Sequence, residues 1–433
     1  MKLNEDILSY QKEMKEAFRL QLNNNLKNNM YSDYFLDNTL GLENEYFIVD
    51  INMNPAPQTV RDELLQENQT LKKELGASQI ELNTVPISIE HGHEAIINYV
   101  KEQEYVMAKQ LEKYECYLLR MGVYPGKIDT IHITNEPEIY KNMLDKYKQV
   151  RRDYFDCSVG AINLGGRIPE LIGGCQSSQL NLQVNYQDAI KLLNVTYELS
   201  PIFIAISANA PFIDLKNSEY LDVRNILWEN GYELRSYNEF IHNVSFRTYF
   251  PCDYYDDMNQ YWDDMNKQIH MKYDKENAFI NSQKMFWRVA RLKLIGTKYL
   301  LETRFMSIQP TCEEDVALHL AIYALLMLRL ENAEKLLPIT FVKENFRRTS
   351  KYGMNTQIYV YKEGSGKIIE QDVKTVLEIC LWKIAKYWGK SSCRNFIEEI
   401  FYKKMKYGTS AEEQKKYLMN NSMKELIYKY TIK

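Results

Sequence analysis

The sequence lacks most of the features that would tie the protein to a nucleic acid, a membrane or an oxidising compartment. The charges nearly balance, with 54 basic and 58 acidic residues, so nothing favours nucleic acid or an anionic membrane as a partner. The charged N-terminus has no apolar core of a signal peptide. The longest apolar run, 316–330, is too short to span a bilayer and indicates a buried helix. The seven cysteines include no CxxC pair, which favours reduced thiols in a cytoplasm.

No internal repeat, low-complexity tract or Pro/Gly/Ser-rich linker divides the chain. With 45% hydrophobic and 26% charged residues, the composition is globular, and we expect 1–433 to form a single domain. Hydrophobic periodicity predicts helices at 3–29, 58–75, 93–121, 136–156 and 187–208. It predicts strands at 41–50, 78–86, 177–185 and 298–308. The chain after Pro310 is predicted to be mostly helical, and strands separated by long helices indicate an α/β or α+β fold.

The predicted strands carry an unusual polar face. Because side chains alternate along a strand, Glu43 and Glu45 share one face of the first strand, and Glu302 and Arg304 share one face of the last. The middle strands and the segment before them add Glu74, Glu81, Asn83, Gln179, Asn181 and Gln183. Glutamate, glutamine and asparagine dominate these faces, and lysine is nearly absent from them.

Two interpretations of these polar faces remain open from the pattern alone. One is an ordinary solvated sheet surface. The other is a concave sheet on which five carboxylates converge, those of Glu43, Glu45, Glu74, Glu81 and Glu302. Carboxylates that close together cannot all stay ionised unless cations lie among them. Oxygen-only ligands favour Mg²⁺ or Mn²⁺ over Zn²⁺, which prefers histidine and cysteine.

Six motifs, taken in chain order, resemble those of one enzyme family. They are GLENEYFIVD (41–50), ELGASQIELNT (74–84), CQSSQLNLQV (175–184), AISANAPF (205–212), SEYLDVRNILW (218–228) and YLLETRF (299–305). Each motif is weak alone, but six in the family's order over roughly residues 40–310 are specific. The chain therefore resembles the carboxylate–amine ligases of the glutamate–cysteine ligase family, in its plant-type and related bacterial branch.

The resemblance implies an α+β, glutamine-synthetase-like fold, in which a curved, largely antiparallel sheet forms a funnel backed by helices, with a helical region at 311–433. It also implies ATP as co-substrate, two or three Mg²⁺ (or Mn²⁺) ions, and amide formation through an acyl phosphate. The metal ligands implied are Glu43, Glu45, Glu74, Glu81, Gln179 and Glu302. Glu81 and Arg304 are implied as catalytic residues, with Arg304 also binding ATP, and Arg224 and Asn181 as substrate-binding residues.

Three positions depart from the family pattern and leave the substrates open. Gln179 stands where some branches have histidine, Gln183 where the plant-type motif has aspartate, and Ala210 where a serine is usual. We expect an ATP-dependent ligase that joins the γ-carboxylate of glutamate to an amine, cysteine by default, as in glutathione biosynthesis. The alternatives are the same chemistry on another acid and amine, or a non-catalytic protein that binds nucleotide or amino acid and regulates a partner.

Overall fold

A computed structural model describes residues 5–29, 39–134, 140, 141, 145, 157–165, 167–231, 248–268, 274–332 and 334–432. The helices are α1 (Glu5–Asn29), α2 (Gln58–Glu67), α3 (Gly92–Glu112), α4 (Ile168–Ile172), α5 (Tyr186–Ser207), α6 (Val223–Gly231), α7 (Met258–Lys267), α8 (Ala278–Lys284), α9 (Cys312–Glu331), α10 (Ile339–Tyr352), α11 (Val373–Trp388), α12 (Ser392–Tyr407), α13 (Ser410–Leu418) and α14 (Met423–Lys429). Short 3₁₀ turns occupy Ile89–His91, Ile128–Thr130 and Lys275–Asn277.

The strands are β1 (Thr39–Asp50), β2 (Leu71–Lys73), β3 (Gln79–Asn83), β4 (Ile87–Ser88), β5 (Cys116–Leu119), β6 (Cys157–Val159), β7 (Ile162–Gly165), β8 (Ser178–Val184), β9 (Phe212–Ile213), β10 (Lys216–Asn217), β11 (Thr248–Tyr249), β12 (Trp287–Arg288), β13 (Ala290–Ile295), β14 (Lys298–Thr303), β15 (Gln357–Tyr361), β16 (Ile368–Asp372) and β17 (Thr431–Ile432). In the described part of the chain, nine of them form one sheet, whose main path runs β13-β14-β8-β1-β3-β2. All pairings in this sheet are antiparallel, and the sheet curls into a half-barrel.

The two faces of the curled sheet differ in polarity because side chains alternate along each strand. One face carries fully buried leucines, among them Leu42, Leu180, Leu182 and Leu301. Helix α5 packs on β13 and β14 and against α9 and α10. The other face carries the glutamates of β1, β3 and β14. This arrangement confirms the α+β, funnel-like architecture with a helical C-terminal region.

Helix α5 is long and apolar enough to cross a membrane by length and composition, but 78% of its most apolar window is buried inside the protein. The apolar run at 316–330 lies in α9, which is also mostly buried. Both helices therefore use their apolar surface to build the core of the fold.

The prediction of one helix over 58–75 is wrong in its second half. Helix α2 ends at Glu67, because the side chain of Asn68 accepts the backbone N–H of Thr70 at 2.9 Å and forms a local turn. Leu71–Lys73 then pair with β3. This pairing with β3 overrides the helical spacing of the segment.

The prediction of a helix over 93–121 is wrong after Glu112. Glu115 adopts a left-handed conformation with φ of 52°, which reverses the chain, and Cys116–Leu119 then pair with the end of β1. The last predicted strand is shorter than expected and ends at Thr303. The predicted helix at 136–156 lies outside the described residues except for 140, 141 and 145.

Candidate active site

The strand register brings the predicted polar residues onto the concave face of the sheet. Glu45 of β1 lies opposite Glu81 of β3. Glu43 lies opposite Gln179 of β8 on the other side of β1. Residues directly opposite in antiparallel strands have side chains on the same face, with Cβ atoms about 4.5–5.5 Å apart. Pairing therefore assembles a carboxylate cluster that no single strand contains.

Three of the five predicted carboxylates form a tight cluster, which we call the carboxylate trio: Glu45, Glu74 and Glu81. Each offers an oxygen atom, and these oxygens lie within 4.8 Å of one another. The trio lines a cavity of about 1330 Å³ whose wall also contains Glu43 and Arg304. In the described part of the chain, no lysine or arginine forms an ion pair with the trio.

Glu45 is held in place from both sides of its carboxylate. The backbone N–H of Ser177 donates to Oε2 at 2.7 Å, and Nε2 of Gln179 donates to Oε1 at 2.8 Å. Both donors lie on or just before β8, the strand next to β1. The two strands therefore fix the orientation of this carboxylate without any bound ion.

Glu74 sits on a tight turn between β2 and β3 that is held by close packing. A Cβ added to Gly76 would lie 1.9 Å from the carbonyl oxygen of Gly173, so only glycine fits there. The buried Arg61 donates to the carbonyl of Gly76 at 2.9 Å, and Oε1 of Gln79 accepts the backbone N–H of Gly76 at 3.0 Å. The turn thereby places the Glu74 carboxylate beside Glu81.

The pKa values of the trio are raised because the nearby positive charge of Arg304 and Arg224 does not offset burial and mutual repulsion. Burial, reinforced by the negative charge of Glu45, raises the pKa of Glu74 from 4.5 to about 8. Burial, followed by the charges of Glu43, Glu74 and Glu45, raises the pKa of Glu81 well above 4.5. Burial also raises the pKa of Glu45, although Arg224 and Arg304 oppose this. Metal-free protein therefore holds protons among these oxygens at neutral pH.

The other two predicted ligands, Glu43 and Glu302, lie beside cationic side chains. The fully buried Glu302 forms ion pairs with Arg291 at 2.8 Å, with Lys293 and with Arg304. Lys293 Nζ also lies 2.9 Å from Glu43 Oε1. Burial opposes ionisation of Glu302, but Arg291, Lys293 and Arg304 together hold its pKa well below its usual range. This carboxylate is therefore ionised at neutral pH.

Gln179 connects the two groups of carboxylates. Its Nε2 donates to Glu45, and its Oε1 accepts from Nη1 of Arg304 at 2.9 Å. The amide oxygen, which a metal would need, is thus occupied by Arg304. In this structure Gln179 orients Glu45 and Arg304.

The predicted substrate-binding residues lie on either side of Arg304 and Glu302. Arg224, on α6, is buried, and its Nη1 donates to the carbonyl of Arg304 at 3.0 Å. Its Nε is buried without a hydrogen-bond partner among the described residues. Asn181 lies opposite Glu302 across β8 and β14, and its buried Oδ1 also has no partner in the described part of the chain. Both side chains keep hydrogen-bonding capacity next to the charged cluster.

Several residues of the cavity were missed from sequence. Arg291 and Lys293 lie on β13, where they alternate with buried leucines in ARLKLI, a period-two pattern that could have revealed them. Trp228 and Trp287 form an aromatic part of the wall, with ring centroids 5.5 Å apart. No sequence signal indicates that these tryptophans, distant along the chain, meet in the cavity.

The trio fits a hard divalent cation. Its donors are all carboxylate oxygens, and each carboxylate comes from a rigid strand or a tightly held turn. Oxygen-only donors at this spacing suit Mg²⁺ or Mn²⁺. An ion at this position would supply the positive charge that raised pKa values show to be missing.

Known proteins resemble this chain in sequence. The sequence model described as Glutamate-cysteine ligase family 2 (GCS2) matches residues 39–358. Two curated relatives are both named "Putative glutamate--cysteine ligase 2". The relative from Rhodopirellula baltica is 22% identical over 396 residues, covering 87% of this chain and 92% of its own. The relative from Solibacter usitatus is 24% identical over 392 residues, covering 87% and 88%.

Solved structures share the fold. The glutamate–cysteine ligase of Francisella tularensis, solved in complex with AMP, superposes with a TM-score of 0.62 at 15% identity, covering 93% of this chain and 89% of that one. A bifunctional glutathione synthetase from Pasteurella multocida gives 0.52 at 13% identity, covering 90% of this chain and 51% of that one. The family match spans most of the chain, so the protein belongs to glutamate–cysteine ligase family 2 and is an ATP-dependent carboxylate–amine ligase.

Proposed function

We propose that the whole chain, 1–433, acts as one ligase domain that joins the γ-carboxylate of glutamate to the amine of cysteine with ATP. The observation that carries the proposal is the carboxylate trio in a cavity that also contains Arg304, in a member of this family. The substrate carboxylate attacks the γ-phosphate of ATP, ADP leaves, and an acyl phosphate forms. The amine then displaces phosphate and leaves an amide.

The residues of the cavity wall and two residues close to it would divide this work. Glu45, Glu74 and Glu81 would hold Mg²⁺ or Mn²⁺, which supplies charge neutralisation for phosphoryl transfer. Arg304, held by Gln179 and Glu302, would direct its guanidinium toward the transferring phosphate of ATP. Arg224 would bind the α-carboxylate of the amino acid, and Asn181 would position the same substrate by hydrogen bonding. Preorganised charge of this kind needs no rearrangement during the reaction.

The identity of the amine is the most specific part of the proposal. Gln183 and Ala210 depart from the plant-type motif, and these differences motivate a second candidate, the same chemistry on another acid and amine. A few pocket side chains decide such specificity. Six cysteines are free, namely Cys116, Cys175, Cys252, Cys312, Cys380 and Cys393, which fits the proposed role in a reducing cytoplasm, in glutathione biosynthesis.

The test is phosphate release from ATP and Mg²⁺ with glutamate present, across a panel of amines that includes cysteine. We expect release that rises with cysteine, and a γ-glutamyl dipeptide identified by mass spectrometry. Release with another amine, and none with cysteine, would replace the first candidate by the second. If phosphate is released with none of the acids and amines in the panel, the result would count against both candidates.

A further inference from the structure

Two groups of carboxylates at the candidate active site differ in how their negative charge is compensated. The trio has no ion pair to lysine or arginine within the described chain, whereas Glu43 and Glu302 share the ammonium group of Lys293. This ammonium lies on the sheet face itself, because Lys293 belongs to β13 and alternates with the buried Leu292 and Leu294. Its side chain is only 15% exposed. Lys293 therefore occupies the space between two carboxylates that would otherwise form a cation site.

We infer that Lys293 is a resident cation of the active site, which takes the place of a divalent ion between Glu43 and Glu302. The inference rests on the proposed function, since it states which carboxylates remain for metal. Only the trio then binds a free divalent cation in the absence of nucleotide. The protein needs fewer protein-bound ions than the two or three that the resemblance of its motifs implies.

The surroundings of Glu302 support this assignment. Arg291 approaches Oε1 through Nε at 2.8 Å and Oε2 through Nη2 at 3.1 Å. Arg304 also contacts Oε1, and Lys293 also contacts Oε2. A fully buried carboxylate must be paired, and here three protein cations form ion pairs with it. A divalent ion at Glu302 would face these positive charges at close range, which opposes its binding.

The geometry of Lys293 also explains why a lysine can serve here. An ammonium group is a compact point charge with three donors, so it contacts at once the carboxylates of Glu43 on β1 and Glu302 on β14, two strands that are separated by β8. Unlike an exchangeable ion, it does not depend on the metal concentration. Its position on a β-strand that pairs throughout with β14 keeps the charge fixed.

The experiment counts Mn²⁺ ions bound to nucleotide-free protein, by electron paramagnetic resonance and isothermal titration. We expect about one ion for the wild-type protein, about one for Glu43→Gln, and none for Glu81→Gln. Lys293→Met should gain a second ion, and Lys293→Met combined with Glu43→Gln should return to about one. Lys293→Arg, which keeps a cation, should remain at one.

The controls separate a metal-site effect from a folding effect. Thermal unfolding verifies that each variant is folded, and Lys293→Gln is a second neutral variant that keeps a polar group. Lys298→Met is the matched control, because Lys298 lies at the exposed end of the same hairpin, opposite Ile295, and should leave the ion count unchanged.

Two outcomes would overturn the inference. One is a folded Lys293→Met that binds the same number of ions as the wild type. The other is wild-type protein that binds two or more ions and loses one in Glu43→Gln. If such protein still releases phosphate from ATP with an amine, the proposed function stands while the inference fails. Wild-type protein that neither binds Mn²⁺ nor releases phosphate would refute the proposed function itself.

Discussion

The carboxylates on the two faces of the sheet differ in how their negative charge is compensated. The concave face, which carries the trio, is called the front here, and the opposite face the back. On the front, the trio of Glu45, Glu74 and Glu81 crowds together without an ion pair to lysine or arginine among the described residues. On the back, to which the alternate side chains of β1 project, Arg120 bridges two buried carboxylates. It donates through Nε to Glu104 at 2.9 Å and through Nη1 to Asp315 at 2.8 Å.

The back cluster is a closed network. Tyr46, next to Glu45 on β1, donates to Glu104 at 2.7 Å. The other oxygen of Asp315 accepts the N–H of Gln309 at 2.9 Å. Buried ionic groups satisfied in this way hold elements together, here β1, β5, α3 and α9, and leave no place for a ligand. The contrast shows that burial alone does not distinguish the two clusters, whereas an ion pair to a protein cation does, and we predict that the trio is the cluster that binds a metal ion.

The largest effect should come from breaking the back network. Arg120→Met leaves Glu104 and Asp315 buried without their cation, so we expect a loss of about 3–5 kcal/mol in the free energy of unfolding. Urea unfolding measures it. The control is Lys109→Met, which breaks an exposed pair with Glu112 and should leave stability nearly unchanged, because water screens such a pair. Equal losses in the two variants would show that Arg120 does not hold the network.

The front cluster should respond to mutation in the opposite way. Glu81→Gln removes a carboxylate that its neighbours repel, so metal-free protein should keep or gain stability. Turnover, measured as phosphate release, should fall more than about 100-fold, because loss of a ligand costs more than the 10–100-fold typical of its hydrogen-bond partners.

Magnesium sharpens the same test of Glu81. Saturating Mg²⁺ should raise the unfolding temperature of the wild type but not that of Glu81→Gln. Glu90→Gln, at an exposed glutamate, is the control and should behave like the wild type in both measurements. Full activity in Glu81→Gln would exclude a ligand role.

Local pattern predicted the strands that carry the site, but not their neighbours. Strand β8 shows polar and apolar residues in alternation. In β1 the two glutamates are two residues apart, as are Glu302 of β14 and Arg304 just after it, so period two identifies the concave face. The segments of β2 and β5 are predicted as helix, because helical spacing does not encode their pairing with β3 and with the distant β1. Element type was thus predictable where one face is buried and the other polar.

The site was predictable as a set of residues, but not as two differently charged groups. Sequence placed Glu43 and Glu302 with the trio as equivalent ligands. Their separation depends on Lys293 of β13, which lies beside β14 by strand pairing. Roles for all of these residues remain predictions, and the comparison of faces can also be tested through pH.

The smallest expected effect is a pH dependence of stability in metal-free protein. The folded-state pKa of Glu74 is about 8, against 4.5 as its ordinary value. Between these values the folded state binds the extra proton, so the contribution of Glu74 to stability is largest below pH 4.5 and falls as pH rises toward 8. One pKa unit corresponds to about 1.4 kcal/mol. Urea unfolding with EDTA should show a decrease between about pH 6 and pH 8.

Glu74→Gln isolates this contribution from the back face. Burial raises the pKa of Asp315 from 3.8 to about 7, which gives a slope of the same sign in both proteins. We therefore expect the wild type to lose about 1–2 kcal/mol more than Glu74→Gln over this interval. Saturating Mg²⁺ should remove the difference, since a bound cation favours the ionised trio. Parallel profiles in EDTA would mean that Glu74 is not the group that carries the proton.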